Sequence, residues 1–156
     1  MSEKLPVLEL STAFYFKDLV NKKKLFEKIA ELLSESTEVS FLSVLDCLNS
    51  REKLGSTYIG KGVAIPHCKI DIASPKVIIL VLGEKIKYSD DGLNQVDVVF
   101  SLLVPSENCD QHLHLLSSIA RLCEQKSWLS GIRELCTEQD IMKYINESDN
   151  SLDNLS

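Results

Sequence analysis

Val77-Ile78-Ile79-Leu80-Val81-Leu82 is an unbroken aliphatic run near the middle of a 156-residue chain. A run with no polar position offers no face to water, so it reads as a central strand of a sheet rather than an edge. Val96 to Val104, stopped by Pro105, reads the same way. Between the two runs, Glu84-Lys85-Ile86-Lys87-Tyr88 has the pattern of a short strand and Ser89-Asp90-Asp91-Gly92 that of a turn.

Working outward, the apolar period changes from strand to helix. Upstream, Leu25, Ile29, Leu32 and Leu33 recur at helical spacing from Lys22 onward, and Phe41, Val44, Leu45 and Leu48 repeat it after the polar break at Ser34 to Thr37. The second of these helices is expected to run to about Arg51 or a little beyond. Residues 5 to 10 read as an edge strand and Ala13 to Phe16 as a further aromatic segment. Downstream, Leu113, Leu116, Ala120 and Cys123 form one stripe with Leu115, Ile119 and Leu122 beside it, a width that implies a well-buried helix. Trp128, Leu129, Ile132 and Leu135 mark another helix. Ile141, Tyr144 and Ile145 mark a last one, with Thr137 as its expected N-cap ahead of Glu138 and Asp140. Helices before and after a mixed sheet favour an α/β fold, a three-layer α/β/α sandwich. One domain over residues 1–147 is expected, followed by a polar, acidic and disordered tail over 148–156.

A formal charge of −6 argues against a nucleic-acid partner, which needs clustered Lys and Arg. Lys22-Lys23-Lys24 is read as the solvated start of a helix. No stretch reaches the length of about 20 apolar residues that a membrane helix requires, so no membrane insertion is expected. The opening Met-Ser-Glu-Lys-Leu-Pro has no signal-peptide pattern, which makes the cytoplasm the expected location. Five cysteines, at 47, 68, 109, 123 and 136, have no close metal-ligand spacing and read as reduced thiols. Cys47, Cys123 and Cys136 fall in helical patterns. Cys68 stands apart because it adjoins a histidine.

That histidine is His67, in Arg51-Glu-Lys-Leu-Gly-Ser-Thr-Tyr-Ile-Gly-Lys-Gly-Val-Ala-Ile-Pro-His67-Cys-Lys69. Val63, Ala64 and Ile65 read as a short buried strand, Pro66 ends its hydrogen bonding, and the imidazole is expected where the chain leaves the sheet. Gly55, Gly60 and Gly62 allow tight turns whose N–H groups are available to an anion. Ser56 and Thr57 add hydroxyls and Arg51 adds positive charge. A neutral imidazole is a good nucleophile near pH 7, and phosphoryl transfer to it calls for surrounding cations and N–H donors. His112 and His114 sit two residues apart near a helix start and point in different directions, so at most one joins the site. With Asp110 as N-cap, His112 falls in the first turn, where it is placed to donate to a phosphate. No set of ligands completes a metal site, no G-x-S-x-G elbow is present, and Gly55 to Gly62 lacks the metal-binding hydroxyl of a P-loop. Neither metal nor cofactor is expected.

The Arg51 to His67 segment resembles the active-site segment of the mannitol/fructose class of phosphotransferase-system enzyme IIA domains, and its wording is nearest the nitrogen-regulatory branch. The run from Val96 to Pro105 and the Gln111-His112-Leu113 helix start support the likeness, which extends over nearly the whole chain. The resemblance implies an α/β/α sandwich and a phosphohistidine at His67, charged by an HPr-type carrier that is itself charged by an enzyme I from phosphoenolpyruvate. It implies that Arg51 stabilises the phosphate, that His112 is the second active-site histidine, and that Ser56 and Thr57 line the phosphate loop. Cys68 departs from the glycine of many relatives. Two uses follow from the resemblance: regulation of targets such as potassium-transport proteins or sensor kinases by phosphorylation state, or delivery of phosphoryl to a IIB cysteine during sugar uptake. A third is an interaction protein that keeps the scaffold without phosphorylation.

Overall fold

A computed structural model describes residues 11–107 and 113–153. The chain forms strands β1 (Ser11–Phe16), β2 (Tyr58–Gly60), β3 (Val63–Ala64), β4 (His67–Ile70), β5 (Lys76–Lys87) and β6 (Gln95–Pro105). Its helices are α1 (Lys22–Glu35), α2 (Phe41–Leu54), α3 (Leu113–Cys123), α4 (Lys126–Arg133) and α5 (Glu138–Asp153). The sheet order is β1-β5-β6-β3-β2, with β4 also on β6. It is mixed: β1 runs parallel to β5, β5 antiparallel to β6, and both β3 and β4 parallel to β6.

The unbroken aliphatic runs are explained by two cores, one on each face. Val77, Ile79, Val81, Val98, Phe100 and Leu102 pack against α3, α4 and α5, where Leu115, Ile119, Trp128, Ile132 and Ile141 are buried. Ile78, Leu80, Leu82, Val99 and Leu103 point the other way, onto Leu25, Ile29, Leu33, Val44 and Leu48 of α1 and α2. Strand alternation thus sends successive residues of one apolar run into opposite layers. This is the expected three-layer α/β/α sandwich.

Helix boundaries are set by side-chain caps. Asn21 Oδ1 accepts from Lys24 N at 2.8 Å and Ser40 Oγ from Ser43 N at 3.2 Å. Thr137 caps α5 as expected, its Oγ1 accepting from Asp140 N at 3.1 Å. The segment Glu84 to Tyr88 is no separate strand but largely the far half of β5, past a register shift between Val81 and Ile86. Two other expectations are corrected. The last helix continues to Asp153, into the segment from residue 148 expected to be a disordered tail. Ser148 is buried there, taking a hydrogen bond from Trp128 Nε1 at 2.6 Å and donating to Tyr144 O at 2.6 Å. Cys136 lies exposed between α4 and α5 rather than within a helix. The edge strand expected over residues 5–10 lies outside the described residues, as do Cys109, Asp110 and His112.

Candidate active site around His67

The chain does not leave the sheet at His67. Ile65 and Pro66 interrupt the pairing, and β4 then resumes beside the same neighbour, with His67 opposite Leu102. The interruption is anchored through the Pro66 carbonyl, which accepts from Ser101 Oγ at 2.8 Å and Leu102 N at 3.1 Å. Ile65 N donates to Thr57 O at 2.9 Å on the other side. A buried proline thus makes a fixed kink from which the half-buried imidazole projects.

The imidazole has one defined tautomer. Its Nδ1 lies 2.7 Å from Ile65 O, and a carbonyl oxygen can only accept, so Nδ1 carries the hydrogen and Nε2 keeps a free lone pair. Of the two ring nitrogens, a question sequence alone leaves undetermined, Nε2 is therefore the one left without a hydrogen in this arrangement. Burial holds the His67 pKa below its ordinary 6.5, the Ile65 hydrogen bond opposes that, and Arg51 and Lys69 lower it further while Glu52 raises it. A mainly neutral imidazole at pH 7 is the result.

Arg51 lies in the last turn of α2, and its Nη1 donates to Gly55 O at 2.8 Å. It has no ion pair among the described residues. Its neighbour Glu52 is the hub of a network that sequence reasoning missed. Glu52 Oε1 accepts from Lys22 Nζ at 2.9 Å and Thr57 N at 3.2 Å, and Oε2 accepts from Thr57 Oγ1 at 2.6 Å. With the Thr57 hydrogen directed to the carboxylate, Tyr88 OH donates to Thr57 Oγ1 at 2.6 Å. Lys22 Nζ also stands 4.1 Å above the Tyr88 ring. Burial pushes the Tyr88 pKa well above its ordinary value, so it stays a donor.

This corrects the expected role of Thr57. Its side chain is turned inward and both its hydroxyl contacts are occupied, so it shapes the loop rather than offering a hydroxyl to phosphate. Ser56 is exposed and accepts from Tyr58 N at 3.2 Å, leaving its own hydrogen available. Two of the three glycine N–H groups are engaged too: Gly55 N donates to Glu52 O and Gly62 N to Tyr58 OH at 3.3 Å. Lys22, read as a solvated helix start, is instead part of the network. His114 is exposed on α3.

The cysteines also differ from expectation. Cys47 on α2 and Cys68 on β4 form a disulfide, their Cα atoms 5.9 Å apart across 21 residues of sequence. Sequence spacing gave no sign of it, because the pairing depends on how α2 lies over β4.

The family described as "Phosphoenolpyruvate-dependent sugar phosphotransferase system, EIIA 2" matches residues 7–148. The chain belongs to this family. A nitrogen regulatory protein of Klebsiella oxytoca is 31% identical over 130 residues, 82% of this chain and 80% of that protein. A mannitol-specific phosphotransferase enzyme IIA component of Geobacillus stearothermophilus is 28% identical over 145 residues, 92% of this chain and 97% of that protein. The crystal structure of nitrogen regulatory protein IIA-Ntr from Neisseria meningitidis superposes with a TM-score of 0.81 at 30% identity, covering 89% of this chain and 98% of that one. This EIIA chain is accordingly a phosphotransfer component with the α/β fold of its relatives, and no described helix is long and apolar enough to cross a membrane.

Proposed function

We propose that His67 Nε2 accepts a phosphoryl group from a phosphohistidine on an HPr-type carrier, and that the phosphorylation state then governs binding to regulatory target proteins. The observation that carries this reading is the Nδ1 to Ile65 O hydrogen bond, which leaves Nε2 unprotonated on a fixed strand start. In the transfer, the Nε2 lone pair attacks phosphorus while the donor's N–P bond breaks, and the released electron pair returns to the donor imidazole. The His67 ring then carries positive charge with its proton on Nδ1, steadied by the Ile65 carbonyl. Arg51, with no carboxylate paired to it among the described residues, turns from Gly55 O to the phosphoryl oxygens, and Ser56 can donate beside it. His112 is the second histidine of this reading, placed by motif alone. No metal or cofactor takes part. Such a relay operates among cytoplasmic proteins, and its targets are of the potassium-transport or sensor-kinase kind.

A second reading, delivery of phosphoryl to a IIB cysteine in sugar uptake, is favoured by the mannitol-specific relative, whose length is almost fully matched. The test is incubation with phosphoenolpyruvate, enzyme I and an HPr-type carrier, followed by intact-mass analysis of the wild type and His67→Ala. Acid-labile phosphate is expected on the wild type and not on the variant; equal labelling would refute the assignment. Adding a IIB domain separates the two uses, since onward loss of phosphate to its cysteine supports sugar delivery.

A further inference from the structure

We propose that Cys47 and Cys68 form a reversible dithiol/disulfide site, with a low-molecular-weight disulfide as its oxidant, that sets the position of Arg51 relative to His67. The coupling, though not the site itself, rests on the phosphoryl-transfer reading above. Cys68 follows His67 directly on β4, and Cys47 lies one helical turn before Arg51 and Glu52 on α2. One covalent bond therefore ties the element that carries the nucleophile to the element that carries its cation.

Burial assigns the two sulfurs different parts. Cys47 is half-buried, while Cys68 is only 4% exposed. Cys47 thiolate is the accessible attacker. It displaces one thiolate from a disulfide such as oxidised glutathione, giving a mixed disulfide on Cys47. Cys68, having lost its proton to the departing thiolate, attacks the Cys47 sulfur and releases the second thiol. The pair is oxidised by two electrons, and the small disulfide is reduced to two thiols. Reduction runs the same steps backward.

Both states are accommodated. Cys47 Sγ lies 3.2 Å from Lys69 O, so the reduced thiol has an acceptor in place. Two unbonded sulfurs nonetheless need about 1.5 Å more separation than bonded ones, so α2 and β4 must part slightly on reduction. Arg51, held on Gly55 O at the end of the same helix, is carried with α2 when α2 and β4 part, so its distance to a phosphoryl group on Nε2 differs between the two forms. A cytoplasmic setting keeps thiols reduced, so a bridge there is one that cycles.

Peptide mapping of alkylated, non-reduced protein after equilibration across ratios of reduced to oxidised glutathione reads the bridge directly. A Cys47–Cys68 linked peptide is expected at oxidising ratios and its loss at reducing ones; its absence throughout overturns the site. The His67 ring resonance in NMR is expected to shift between the two forms, and an unchanged resonance overturns the coupling whatever phosphoryl transfer does. With a phosphorylated HPr-type carrier, the reduced protein is expected to accept phosphoryl about tenfold faster than the bridged one, since small displacements of a positioned group carry factors of that order. Cys47→Ser should show the faster rate under both conditions. Equal rates in the two forms of the wild type would remove the regulation. Transfer to neither form would defeat the relay reading and the coupling together, while the mapping still decides the bridge.

Discussion

Strand β3 has a basic residue near each of its ends, and the two are treated differently. At the Lys61-Gly62 turn, Arg133 Nε donates a bifurcated hydrogen bond to both Asp97 oxygens at 2.9 and 3.0 Å and its Nη2 donates to Lys61 O. Gly62 has a φ of 79°, and an added Cβ would come within 2.9 Å of Asp97 Oδ1 and closer still to Arg133, so this corner is closed around glycine. Beyond the Pro66 kink, Arg51 and Glu52 are also near neighbours but do not pair. Glu52 is taken by Lys22 and Thr57, and among the described residues Arg51 reaches a backbone carbonyl and no carboxylate. A neutralised guanidinium fixes a turn; an unneutralised one remains available to an anion. Diverting the carboxylate to Lys22 is what leaves Arg51 its charge beside His67.

Exchanging the two arginines for alanine breaks this comparison most directly. Arg51→Ala should slow phosphoryl transfer about 10²- to 10³-fold, the loss typical of one donor to a developing anion, with little change in melting temperature. Arg133→Ala should do the reverse, costing about 1–2 kcal/mol of stability because Asp97 and Lys61 O lose their donor, while the folded protein transfers phosphoryl at nearly the wild-type rate. Stopped transfer in Arg133→Ala, or unfolding in Arg51→Ala, would show that the two corners do not divide their roles.

Next in size is the bridge. A disulfide that closes a loop of 21 residues contributes about 3 kcal/mol by constraining the unfolded chain, so reduction should lower the denaturant midpoint measurably. If reduced and oxidised proteins unfold together, α2 is held to β4 by its apolar contacts alone.

Most of the scaffold was legible because long apolar runs and helical stripes report burial directly: β5, β6 and the stripes on α1 and α3 each follow from one local pattern. His67 and Arg51 stand out in the sequence because a long local motif carries them, and the fold sets the Arg51 charge close enough to act on the imidazole. What escaped depends on contacts between distant parts of the chain. The return of β4 to the sheet after Pro66 needs β6 as a partner. The Glu52 network joins Lys22, Thr57 and Tyr88, and nothing local to any of them marks the others. The Cys47–Cys68 bridge likewise follows from the placement of α2 on the sheet. The continuation of α5 past residue 147 was not legible because a polar composition concealed one buried contact, Ser148 with Trp128.

The smallest expected effects are those on the ionisation of His67, and they sharpen the comparison by sign. Because burial holds this pKa below 6.5, the unprotonated form predominates at neutral pH, and transfer should fall as pH drops through the lowered value. The same shift favours the folded state above pH 6.5, and that contribution is lost as pH falls through the folded pKa. Arg51 and Glu52 push in opposite directions on this group. Removing the positive charge in Arg51→Ala should raise the His67 pKa, and removing the negative charge in Glu52→Gln should lower it, each by a fraction of a unit as expected for partly exposed charges. NMR titration of the ring in both variants reads the two shifts. Opposite displacements about the wild type are the signature of two neighbouring charges acting separately on one imidazole. Displacement of both variants in the same direction would mean that Arg51 and Glu52 compensate each other in solution, and the charge proposed to await the phosphoryl group would already be neutralised.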